Sequence, residues 1–172
     1  MAGKQKNHPK SMPKSAAKAT GAGAAIKIIC DNRKAKFDYH FEERFEAGLV
    51  LTGSEVKSLR AGHANLTNAY ADVRGNEVFL LQAHIAPYDK GGYANHEATR
   101  RRKVLLHKAE IAKLVGKIQI KGMTLVPLKL YFKSSKAKVE LALATGKQDH
   151  DKRAATKERE VNRDLRRVMK KG

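Results

Sequence analysis

Seven histidines are the residues of this chain best suited to proton transfer or metal ligation: His8, His40, His63, His84, His96, His107 and His150. Their spacing supplies neither, because no two stand four apart as a helical zinc pair requires. HKAE at 107–110 puts His107 and Glu110 three apart on a helix, a common surface pairing. Glu42 and Glu43 are neighbours, so on a strand they point to opposite faces and cannot act as a carboxylate dyad. Neither Gly-x-Ser-x-Gly nor a phosphate-cradling loop ending Gly-Lys-Ser/Thr occurs. GAGAA contains a Gly-x-Gly without a preceding strand and reads as a flexible linker. Cys30 is the only cysteine, which excludes an intrachain disulfide and a cysteine zinc site and fits a reducing cytoplasm. The expectation is a protein that is not an enzyme, with no catalytic residue, metal, cofactor or small-molecule substrate.

The positive signals are cationic. Thirty-six Lys/Arg against 17 Asp/Glu leave a net charge of +19 and imply a polyanionic partner. RRRK at 100–103, in a loop running into a helix, sets Arg100, Arg101, Arg102 and Lys103 side by side, where they repel one another unless phosphates lie among them. NRKAK at 32–36 adds Arg33, Lys34 and Lys36. His40 points away from the apolar face of the following strand, where it either stacks on a base or is a solvated strand residue. Residues 147–172 hold ten Lys/Arg and five Asp/Glu, with Val161, Leu165 and Val168 at i, i+4, i+7 and Met169 beside them. Such a thin stripe docks poorly and a helix this short is marginal in water. The segment is expected to be unstructured alone and helical on a phosphate-lined surface; a solvated helix on its own barrel is the alternative.

Three regions follow from composition. Residues 1–30 are Lys/Ala/Gly/Ser-rich and are expected to be a disordered extension; they resemble neither a signal nor a transit peptide. Residues 31–146 form the folded domain and 147–172 the basic tail. No run of 18 apolar residues suggests a membrane span. In the domain, Phe37, Tyr39, Phe41, Phe45, Ala47, Leu49 and Leu51 all fall on odd positions, which predicts one long strand with one buried face and a bulge or sharp bend at Gly48. TGSEVKSLRAG predicts a short helix capped by Ser54 and closed by Gly62. Hairpins are predicted at 74–77 and at Ser134-Ser135-Lys136, a helix from about Leu105 to Gly116 or Gly122, and an edge or bulge at Pro127. The fold expected is mainly β: a small antiparallel OB-like barrel with two or three helices and basic tails that are disordered in isolation.

NRKAKFDYHFEERFEAGLVLTGSEVKSLRAGHANL, HIAPYDKGG, RRRKVLLHKAEI and GKQDHDKR together resemble the small protein B family, the SsrA (tmRNA)-binding proteins of bacteria, from about residue 32 to 169. The resemblance implies ribosome rescue in the cytoplasm. The family binds the tRNA-like domain of tmRNA, enters a ribosome stalled on an mRNA without a stop codon, and lays its tail as a helix in the empty mRNA channel near the decoding centre. By motif it assigns Asn32, Glu46 and Leu105 to tmRNA, and it extends the ribosome-contacting tail over Gly146, Lys147, Asp151, Lys152, Arg153, Lys157, Arg159, Arg163, Val168 and Met169. Thr145 and Gln148 stand where the family usually has lysines, and Val161 where many members have tryptophan. An unrelated ribosomal RNA-binding barrel is the competing expectation; a metal-dependent nuclease would need an inward carboxylate cluster that the sequence does not offer.

Overall fold

Twelve elements follow one another along the described chain: β1 (Ile26–Asp31), α1 (Arg33–Asp38), β2 (Tyr39–Leu49), α2 (Gly53–Arg60), β3 (Ala64–Asn65), β4 (Tyr70–Arg74), β5 (Glu77–Leu81), β6 (His84–Ile85), β7 (Arg102–Leu105), α3 (Lys108–Ile118), β8 (Met123–Lys133) and β9 (Lys136–Gly146). The computed structural model describes residues 26–92, 95–119, 123–148, 151, 153, 161, 163 and 169. The chain is mainly β. Strands β8, β4, β5, β7, β2 and β9 pair in that order, and β9 pairs back to β8, so the hydrogen-bonded neighbours form a closed ring. All pairings are antiparallel, β1 adds to β8, and β3 with β6 makes a separate two-stranded sheet. Closure satisfies the strand edges that so small a sheet would otherwise expose. Among the described residues no helix is long and apolar enough to cross a membrane.

The interior is filled by Phe45, Leu59, Leu80, Ile85, Leu114, Leu125, Leu141 and Leu143, all buried. A second apolar cluster forms from Ala35, Val126, Leu128, Ala142 and Ala144, with Tyr39 and Phe41 packed on it. It lies on the other side of β9, because Ala142 and Ala144 alternate with Leu141 and Leu143. On β2 both Phe41 and Phe45 are odd, yet they serve different clusters. The register with β9 shifts between Phe41 and Glu43, and a bulge reverses which parity faces inward. A shift between Pro127 and Lys129 does the same on β8, as expected for a proline that cannot donate to the ladder.

Several expectations need correction. Order begins no later than Ile26, so residues 26–30 of the presumed extension form a strand. Phe37 lies in α1, which the buried Asn32 caps by accepting a hydrogen bond from the Ala35 amide at 3.0 Å. The bulge of β2 is at Glu42; Gly48 pairs regularly with Lys138 and with Leu105. Thr52 is the N-cap of α2, where its amide donates to Glu55 at 2.7 Å, and Ser54 lies within the helix. Gly62, at φ +87°, follows the end of α2 as predicted. Both hairpins form, with Gly75 and Asn76 and then Ser134 and Ser135 all at positive φ, the signature of two-residue turns matched to strand twist.

Candidate RNA interface

The basic run at 100–103 does not stay in a loop. Its second half is β7, and strand alternation sends its members in opposite directions. Arg102 is wholly buried. Its guanidinium donates to Glu55 at 2.7 Å, to the Ala83 carbonyl at 2.5 Å and to the Ala98 carbonyl at 2.9 Å. Arg100 grips the same carboxylate through two hydrogen bonds of 2.7 and 2.5 Å. Burial would raise the Glu55 carboxyl, but hydrogen bonds from Arg100, the Thr52 amide and Arg102 outweigh it and hold the pKa at about 2. Arg102 therefore cannot reach a phosphate, and Arg100 is mostly committed to Glu55. This corrects the expectation of four adjacent surface cations.

Arg101, Lys103 and Leu105 face outward instead. The Arg101 guanidinium lies 4.8 Å from the centre of the Phe79 ring, Lys103 pairs with Glu77, and Leu105 is 52 % exposed opposite Gly48. A Cβ added at Gly48 would meet the Leu105 Cβ at 3.4 Å, so the glycine leaves a shallow saddle beside the leucine. Two residues earlier on the same face of β2, Glu46 accepts from Tyr131 at 2.6 Å, Lys133 at 3.0 Å and Lys138 at 2.6 Å. Those hydrogen bonds, from Lys138 first, then Tyr131 and Lys133, hold its carboxyl at about 2. Glu140 stands directly across from Glu46 and is paired to Arg44 and Lys129, so two facing carboxylates are each neutralised by two cations. Glu46 orients a lysine pair.

The other predicted residues lie elsewhere. Asn32 is buried: its side-chain amide donates to the carbonyls of Leu66 and Pro127 at 2.8 and 3.1 Å, and it anchors α1. Arg33 and Lys34 are exposed on that helix, and Lys36 is paired to Asp31 at 2.6 Å. His40 is exposed, with Nε2 3.6 Å from Asp151. Gly146 ends β9 opposite Tyr39. The Lys147 amide donates to the Asp38 carbonyl at 2.8 Å. Asp151, Arg153, Val161, Arg163 and Met169 have helical backbone in the chain by itself. Val161 and Met169 are 58 % and 76 % exposed, so these two apolar residues are not docked on the ring of strands. Lys152, Lys157, Arg159 and Val168 lie outside the described residues.

The structure thus gathers Glu46, Leu105, Lys103 and Arg101 on one face and separates them from Asn32 and His40. Sequence reasoning missed Phe79, Tyr131, Lys133 and Lys138. The hairpin at Ser134 and Ser135 sets Tyr131 across from Lys138, but their meeting with Glu46 depends on the long-range pairing of β2 with β9.

Comparison with known proteins agrees with the motifs. The family model of the SmpB protein matches residues 29–171. An SsrA-binding protein of Syntrophobacter fumaroxidans is 56% identical over 145 residues, 84% of this chain and 90% of that protein. One of Acidothermus cellulolyticus is 54% identical over 143 residues, 83% and 90% of the two chains. A solved structure described as tmRNA-SmpB and a journey to the center of the bacterial ribosome contains a chain 50% identical, with a TM-score of 0.60, covering 70% of this chain and 85% of that one. With the family model spanning nearly all of the folded part and the tail, this chain belongs to the SmpB protein family.

Proposed function

We propose that this protein is an RNA-binding adaptor of the cytoplasm. It binds the tRNA-like domain of tmRNA and brings it to stalled ribosomes for trans-translation, without catalysing a reaction itself. One observation carries the reading: Glu46 and Leu105, assigned to tmRNA by their motifs, come together across Gly48 with Lys103, Lys133 and Lys138 around them. An exposed leucine beside a saddle accepts the apolar face of a ribose or base, while the lysines meet the flanking phosphates. The names of the relatives and of the ribosome-bound structural neighbour support it. The closed ring serves as an OB-like barrel, and the basic tail follows the mRNA channel as a helix.

Gel-shift titration of tmRNA against elongator tRNA tests the interface. Parental protein should prefer tmRNA, and Leu105→Ala should weaken that binding by about 1–2 kcal/mol, the burial worth of a partly covered leucine. Equal affinity for both RNAs would make the protein a general RNA-binding barrel. Deleting residues 147–172 separates the roles: tmRNA binding should persist while rescue is lost.

A further inference from the structure

Strand β1 lies outside the closed ring. It pairs with β8 on one side, and among the described residues no strand pairs with its other side. In an antiparallel pair every second residue turns its N–H and C=O away from the partner, so about half of the peptide groups of Ile26–Asp31 point to this open edge. Proteins blunt such edges with charge or with a bulge. Here the bulge comes late, between Ile28 and Cys30, and the first three residues run regularly against Lys133, Phe132 and Tyr131. Ile26 and Ile28 share one face of that stretch, and both are 58 % exposed. A further strand laid along the edge would complete the ladder and take this apolar surface out of water.

Charge decides what can cover it. The Lys27 ammonium donates to the Arg60 carbonyl at 3.2 Å, Lys133 stands across from Ile26, and Lys136 stands across from Lys133. Among the described residues these four cations have one carboxylate partner, Glu46, which Lys133 shares with Lys138. A second copy of a +19 chain, pairing β1 with β1, would bring two such cationic groups together. Residues 1–25 hold five lysines and no acid, so folding back along β1 would add to the same charge. Phosphates of RNA match the charge but only accept hydrogen bonds, and they leave the outward carbonyls and both isoleucines without partners. We propose that the open edge of β1 takes up an acidic, extended segment of another protein as an added strand. Its apolar residues lie beside Ile26 and Ile28, and its alternate, acidic residues face Lys27 and Arg60. This surface does not depend on the RNA-binding reading. Tyr131, across from Ile28, donates to Glu46, so the added strand would run alongside the proposed RNA face without using Glu46 or Leu105.

The test uses full-length, isotope-labelled protein and a short synthetic peptide that alternates valine and glutamate, with a valine–lysine peptide as control. Amide NMR titration and hydrogen exchange follow residues 26–31. The valine–glutamate peptide should bind and should slow exchange of the outward amides of Ile26–Asp31; the control peptide should do neither. Affinity for the peptide should fall roughly tenfold in Ile28→Lys, the burial worth of one isoleucine. In Lys27→Glu it should fall about two- to fivefold, the worth of an exposed ion pair. Both side chains are exposed and the thermal midpoint reports folding; if Ile28→Lys unfolds, Ile26→Lys carries the same expectation. Binding of neither peptide, or equal binding of both, would overturn the proposal. Protection of residues 26–31 that grows with protein concentration in the absence of peptide would overturn it in favour of self-association. Loss of tmRNA affinity in Ile28→Lys, with no peptide bound by the parent, would overturn it in favour of RNA.

Discussion

Glu46 poses a problem of sign. A carboxylate on the proposed RNA-facing surface repels phosphate, yet this one is held at about 2 and is fully charged at neutral pH. Its partners suit the proposed interface: it fixes Lys133, Lys138 and the Tyr131 hydroxyl in one place, so the cations would meet RNA there already positioned. Glu46→Ala raises the net charge but releases both lysines, and tmRNA affinity should fall by filter binding; tighter binding, as charge alone requires, would remove Glu46 from the interface. Glu55 is anchored for stability instead. Glu55→Ala leaves Arg102 charged and buried without its partner, at a cost of about 3–5 kcal/mol, readable as a lower urea midpoint with unchanged slope. Its folded pKa is depressed, so the stabilisation is present above the ordinary carboxylate value of 4.5 and is lost as pH falls toward about 2. The parental midpoint should therefore fall steeply over that window, and that of Glu55→Gln less so.

At the scale of elements, what was legible in the chain was local. The turns at 74–77 and at Ser134 and Ser135, the bulge at Pro127 and the end of α2 at Gly62 each follow from a few adjacent residues, and each is present. The long apolar alternation before Leu51 misled because a bulge at Glu42 leaves no mark in composition, and because Phe37 fits the period of two by coincidence while Asn32 starts a helix around it. The partition of the basic run was illegible for a different reason. Glu55, 47 residues away, with the Ala83 and Ala98 carbonyls, holds Arg102 inward, and strand alternation then sends Arg101 and Lys103 outward. Ser135 offers a test at this scale. It holds φ +64° without being glycine, a conformation that costs an L-residue about 1 kcal/mol or more. Ser135→Gly should raise stability by up to about 1 kcal/mol in equilibrium unfolding and leave tmRNA affinity unchanged. A loss of stability would mean that Ser135 holds the turn by some other contact.

The whole molecule carries +19 spread over the folded domain and two basic ends, which sets how it finds RNA. With roughly 6–10 phosphate contacts, tmRNA affinity should drop about 10³–10⁵ between 50 and 200 mM salt, and a flat profile would mean that the cationic face does not bind phosphate. The tail raises a separate question. Its described residues are helical, and among them Val161 and Met169 are exposed, so these two gain no stability by packing on the folded domain. Its root is tied down through Lys147 on Asp38 and Asp151 near His40. Fixing a helix backbone costs about 1–2 kcal/mol per residue, which phosphates along one side of a channel and an apolar contact along the other can offset. Proline at Glu160, in the middle of this segment, removes a backbone donor and costs about 3 kcal/mol in a helix interior. Glu160→Pro should leave the unfolding midpoint and tmRNA affinity at parental values and cut peptidyl transfer to tmRNA on stalled ribosomes. Alanine at Asp151, Lys152 and Arg153 together should behave alike, because it frees the root and removes two cations at the entrance. Parental rescue rates in both variants would reduce the tail to a solubilising appendage and confine recognition to the barrel.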